Sequence, residues 1–92
     1  MSSITRTVTV PNRLGLHARP AMLLAEMAQR HEAEISLRRI DSDEGVDAKS
    51  IMQIMMLAAT EGTELEISAK GKDAQEAVEE LVTLVSTGFD EE

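Results

Sequence analysis

Apolar and polar positions alternate at the start of the chain. Ile4, Val8 and Val10 share one phase with Arg6, while Thr5, Thr7 and Thr9 take the other. A period of two, with β-branched residues on both faces, predicts a strand, and Pro11-Asn12 ends it. From Ala18 to about Arg30 the period changes: Ala21, Leu24, Ala25 and Ala28 fall three or four apart, the stripe of a helix. Ala33, Ile35 and Leu37 alternate again and predict a strand running toward Ile40. An acidic turn at Asp41-Ser42-Asp43-Glu44-Gly45 and a short strand around Val46-Asp47-Ala48 follow. Ser50 to Ala59 is apolar and Met-rich, with Ile54, Leu57 and Ala58 as the buried face of a short helix. After a break at Glu61-Gly62-Thr63, Leu65, Ile67 and Ala69 alternate with Glu64, Glu66 and Ser68, the pattern of a half-buried strand that Lys70-Gly71-Lys72 turns out of. Asp73-Ala74-Gln75-Glu76 reads as a capping box for a last helix striped with Ala77, Val78, Leu81, Val82 and Val85, and Gly88 is placed to end it. The order β-α-β-β-α-β-α predicts an open-faced α+β sandwich, a four-stranded antiparallel sheet covered on one face by three helices.

Composition narrows the picture. Ninety-two residues make one domain, 1–92, with little room for a second core. Surface binding or group transfer therefore fits better than multi-substrate catalysis in a large pocket. Phe89 is the sole aromatic residue, so the core has to be aliphatic. There is no Cys, hence neither a disulfide nor a thiolate metal site. Met1-Ser2-Ser3-Ile4-Thr5-Arg6 lacks the apolar core of a signal peptide, and no apolar run approaches the ~18–20 residues that span a bilayer, so a cytoplasmic location is expected. A net charge of −8 disfavours nucleic acid and anionic membrane as partners and suits basic protein surfaces. The carboxylates show no metal-ligand spacing, and neither a metal nor a cofactor is expected. His31 beside Glu32 reads as a surface or C-terminal helix residue favourable to the dipole of the first helix, and Asp90-Glu91-Glu92 as a solvated acidic tail.

The candidate chemistry lies at His17, between a strand that stops at Val10 and a helix that begins near Ala18. Pro20 fits the first helical turn, where a missing N–H costs nothing. The imidazole then stands at a helix N-terminus, beside backbone N–H groups with no helical partner and the positive end of the dipole. Such a position holds phosphate and favours a neutral, nucleophilic ring over an imidazolium. Arg19 offers a planar fork of donors to phosphate oxygens, and Gly15 permits an unusual turn before the site. By themselves these residues fit a phosphoryl carrier and an ordinary polar loop about equally well.

Leu16-His17-Ala18-Arg19-Pro20-Ala21 resembles the active-site signature of the HPr phosphocarriers of the bacterial phosphotransferase system, and the similarity runs from the first strand to about Gly88. That resemblance implies the element order read above. It also implies that a phosphoryl group from phosphoenolpyruvate-charged enzyme I rests on Nδ1 of His17 and passes to a sugar-specific enzyme IIA. Arg19 matches the Arg that assists the phosphoryl group, Asn12 a small polar position near the site, and Ala18 and Pro20 complete the motif. Asn12-Arg13-Leu14-Gly15-Leu16-His17 and Ser86 to Glu92 look like the nitrogen-related branch, NPr, whereas the helix after Ser50 looks like the sugar branch.

Ser50 is an N-cap candidate for that helix. Ile51, Met52 and Met55 fall on its outer face as an apolar patch, and Met suits a surface that accepts several partners. The resemblance implies docking of enzyme I and IIA domains there. It also implies that Ser50 is a target of HPr kinase/phosphorylase, although Gln53 stands where regulated relatives often have Gly. The alternative is a non-catalytic regulatory module docking through Ile51, Met52 and Met55; the presence of His17 speaks against it. A carrier that shows its His to several partners is best served as a monomer.

Overall fold

A computed structural model describes residues 3–90; the predicted tail at Glu91-Glu92 lies outside them. The elements are β1 (Ser3–Thr9), α1 (Ala18–Gln29), β2 (Glu34–Arg39), β3 (Gly45–Asp47), α2 (Ile51–Met56), β4 (Glu64–Lys70) and α3 (Ala74–Ser86), closed by a turn at Gly88–Asp90. The predicted order and open-faced sandwich are observed. One four-stranded antiparallel sheet has the order β1-β4-β2-β3.

Register explains why one face is covered and the other bare. Ile4 and Ile35 lie opposite Ala69 and Leu37 opposite Ile67, so the apolar phases of three strands coincide. Against that face pack the stripes of α1 (Ala21, Leu24, Ala25, Ala28) and α3 (Ala77, Val78, Leu81, Val85), all buried. The other face is polar. Thr5 Oγ1 lies 3.1 Å from Ser68 Oγ, and the Arg38 guanidinium lies 3.0 Å from Glu66 Oε1. Phe89, in left-handed backbone at φ 58 after Gly88 at φ 70, turns back and buries its ring in the same core.

Three expectations need correction. Ala58 does not join Ile54 and Leu57 inside: α2 ends at Met56, Ala58 is exposed with φ 52, and Ala59 is buried in its place. Asp73 precedes α3 but makes no capping bond; its carboxylate instead accepts the N–H groups of Glu32 (3.2 Å) and Ala33 (2.9 Å). His31 is not a surface residue. It is 8% exposed, with Nδ1 2.8 Å from Asp73 Oδ2 and Nε2 2.9 Å from Glu80 Oε1.

Candidate functional site

The segment between β1 and α1 is laid on the loop between α2 and β4. Val10 N–H donates to Thr63 O at 2.9 Å, and Gly62 N–H donates to Val10 O at 2.8 Å. Asn12 is buried and its Nδ2 donates to Gly15 O at 2.7 Å, while Gly15 N–H donates back to Asn12 O at 3.1 Å. Gly15 is required twice over. Its φ is +66, and a Cβ there would collide with the Ala59 carbonyl oxygen. Leu16, buried, donates its N–H to that same carbonyl at 3.0 Å.

His17 follows as the N-cap of α1, in extended backbone at φ −75 and ψ −171, and its carbonyl accepts the Ala21 N–H at 3.0 Å. The ring is half-buried and takes no part in the cap. Ala18 and Arg19 are exposed and Pro20 is buried at the start of this 12-residue helix, the positive end of its dipole. Asn12, Gly15, His17, Ala18, Arg19 and Pro20 are thus brought to one helix start. The arrangement offers backbone donors, a guanidinium and an imidazole to an anion.

Ser50 is the N-cap of α2: its Oγ accepts the Gln53 N–H at 3.2 Å. The Gln53 side chain in turn accepts the Asp47 N–H at 2.9 Å, so the residue that looked out of place in this helix ties it to β3. Ile51, Met52 and Met55 are exposed as expected. Met56 is exposed as well (78%), as are Leu14 just before the site (68%) and Met22 on α1. None of these three was assigned from sequence. The signal for Met56 was its place in the same apolar run, and for Leu14 its large side chain in a loop.

Two further residues carry polar work in apolar phase. Arg39 continues the inward phase of Ile35 and Leu37, and His31 continues the α1 stripe three residues beyond Ala28. Arg39 reaches the carbonyls ending α2 and pairs with Asp41, and its hydrogen bond holds the Asp41 carboxyl below the ordinary range. Burial works against a charged His31 ring. The hydrogen bonds to Glu80 and Asp73 outweigh it and raise the ring's pKa above 6.5. Burial would also raise the Asp73 carboxyl, yet the bonds from His31, Ala33 and Glu32 bring it below 3.8. Ligand atoms of His31, Asp73 and Glu76 lie within 4.8 Å of one another, a proximity that sequence spacing concealed. The His31 nitrogens already face Asp73 and Glu80.

Residues 4–87 match the protein family described as "PTS HPr component phosphorylation site". The phosphocarrier protein NPr of Klebsiella oxytoca is 40% identical over 92 residues, covering 98% of this chain and 99% of the relative. The phosphocarrier protein HPr of Pseudomonas aeruginosa is 42% identical over 84 residues, covering 91% of this chain and 92% of the relative. Among solved structures, HPr-C-His from Thermoanaerobacter tengcongensis superposes with a TM-score of 0.88 at 38% identity, over 100% of this chain and 99% of that one.

Proposed function

Since the chain belongs to the HPr family of phosphotransferase-system phosphocarriers, we propose that His17 carries its phosphoryl group, taken from phosphorylated enzyme I and handed to enzyme IIA domains. The observation that carries this reading is the half-buried imidazole of the N-cap residue of α1, at the positive end of the helix dipole and two residues from the exposed Arg19. Nδ1, the nitrogen implied by the family resemblance, attacks phosphorus as the bond to the donor's atom breaks. The same nitrogen leaves when a IIA nucleophile attacks in turn. The negative oxygens are met by the helix N-terminus and Arg19. Neither metal nor cofactor enters the step.

Docking is read onto Ile51, Met52 and Met55, extended by Met56 and Leu14, whose exposed apolar surface suits several partners. Ser50 is read as a regulatory site for HPr kinase/phosphorylase. Phosphate on its Oγ would sit at a helix start, where charge is tolerated, and beside Ile51 and Met52, where it would oppose apolar docking. Residues 1–92 act in this reading as one carrier domain, monomeric and cytoplasmic. Among the described residues no helix is long and apolar enough to cross a membrane.

Incubation with enzyme I and phosphoenolpyruvate tests the relay. A mass gain that is lost in acid, survives alkali and disappears in His17→Ala is expected. No gain, or one indifferent to that substitution, overturns it. For Ser50, an ATP-dependent gain with the kinase should vanish in Ser50→Ala. The sugar and nitrogen branches are distinguished by which enzyme I charges the protein faster.

A further inference from the structure

Arg39 ends β2 in the phase of Ile35 and Leu37, where a guanidinium has to find acceptors. It finds them on two sides. Nη1 donates to the carbonyl oxygens of Leu57 (3.2 Å) and Ala58 (3.4 Å), while Nε and Nη2 each donate to an Asp41 carboxylate oxygen at 3.1 Å. The chain it grips is strained, because Ala58 sits at φ 52, a region disfavoured for a residue with a Cβ. The next carbonyl, that of Ala59, accepts the Leu16 N–H at 3.0 Å and is the atom that leaves no room for a Cβ on Gly15. Leu16 is joined directly to His17. A continuous set of contacts therefore runs from the Asp41 carboxylate through Arg39, the end of α2 and the Ala59 carbonyl to the backbone that presents the imidazole. The far side of this loop has its own anchors at Thr63 and Gly62; Arg39 is the side-chain anchor at the α2 end.

We infer that Arg39 is a positioning residue for the phosphoryl-carrying site: by holding the strained end of α2 it fixes the Ala59 carbonyl, and through Leu16 the orientation in which His17 meets its partners. The inference rests on the reading of His17 as the carrier. It makes Asp41 the group that keeps the guanidinium aimed, and it gives the apolar docking helix and the phosphoryl-bearing loop one shared attachment.

The test compares wild type with Arg39→Gln, Arg39→Lys and Asp41→Asn at a temperature where melting shows all four folded. Three readouts apply: kcat/KM for phosphorylation by enzyme I with phosphoenolpyruvate, the pH profile of phosphohistidine hydrolysis, and the NMR shifts of the Leu16 amide and His17 ring. Arg39→Gln should lose roughly tenfold in kcat/KM, less than the ~100-fold of a full 1 Å misplacement. It should also move the hydrolysis profile and both resonances. Arg39→Lys, which keeps a cation on the two carbonyls, should recover most of the rate, and Asp41→Asn should fall between. Wild-type rate, profile and shifts in Arg39→Gln would overturn the assignment, as would an Arg39→Lys no better than Arg39→Gln. Failure of wild type to take up phosphoryl on His17 would instead remove the carrier reading itself.

Discussion

Gly15 packs against the loop that contains Ala58, and each residue adopts the left-handed region of backbone space. Gly15 accepts it without cost; Ala58 does not. Replacing Ala58 by Gly should relieve about 1–2 kcal/mol of left-handed strain and return about 0.5–1 kcal/mol to the unfolded chain, a net gain of several tenths to 1 kcal/mol visible as a higher urea midpoint. Gly15→Ala should do the opposite, because the Ala59 carbonyl and Thr60 backbone must retreat and take Leu16 with them. A loss above about 2 kcal/mol in urea denaturation, with slower phosphorylation of the fraction still folded, is expected from combined strain and collision. From sequence Gly15 was legible as a turn residue. The carbonyl pressing on it was not, since local patterns carry no information about contacts between distant segments. Arg39 and His31 both lie on apolar stripes, yet Arg39 drew no assignment from sequence and the polarity of His31 pointed toward solvent.

At the scale of elements, β4 and α3 were readable because period two and a long apolar stripe survive in them undiluted. The capping box at Asp73 failed for a physical reason. The carboxylate is taken by the N–H groups of Glu32 and Ala33 and by His31, so it ties the exit of α1 to the start of α3 instead of capping its own helix. Only an imidazolium has an N–H for both Asp73 and Glu80, and this sets the pH dependence. His31, raised above 6.5, contributes stability that is complete below 6.5 and is lost as pH rises through its folded value. Asp73, lowered below 3.8, contributes stability present above 3.8 and lost as pH falls through its folded value. The clasp should therefore hold best between those limits. Glu80 adds to it through its hydrogen bond and its charge, while Lys49 Nζ donates to the His31 carbonyl at 2.8 Å. In His31→Gln about 1–2 kcal/mol should be lost at pH 6, after allowance for the partly exposed Asp73 and Glu80 partners, and the alkaline limb of a stability–pH curve should flatten. An unchanged limb would contradict the clasp. Ser50→Ala should cost about 1 kcal/mol through its cap alone, so any phosphorylation phenotype must be compared with that baseline.

The whole molecule combines a net charge of −8 with an apolar patch at Met52, Met55 and Met56 on its surface. In the proposed reading, the charge favours long-range attraction to basic partner surfaces and the patch supplies short-range apolar contact. Association with enzyme I should accordingly slow as ionic strength rises past about 0.1 M, where the screening length is near 10 Å. Met52→Glu should weaken docking with little change in thermal stability, because that side chain is 77% exposed. Stopped-flow association and a melting curve measure the two separately. The architecture was legible at this scale because three strands and two helices each declare one apolar face, and those faces admit few arrangements. Which side chains cross between elements was not legible, since it depends on the register that only the folded sheet reveals.

Phe89 has one more consequence. Without Trp or Tyr the protein is almost transparent at the wavelengths used to follow proteins by absorbance or fluorescence. Its sole benzene ring is buried near the end of the described residues. A fluorinated phenylalanine incorporated biosynthetically would therefore label one position only. Its resonance would report whether the C-terminal turn is seated, without interference from any partner enzyme in the same tube. An indole placed on the patch, for example by Met56→Trp, would likewise be the only such emitter in the carrier and would show each docking event against an optically silent protein.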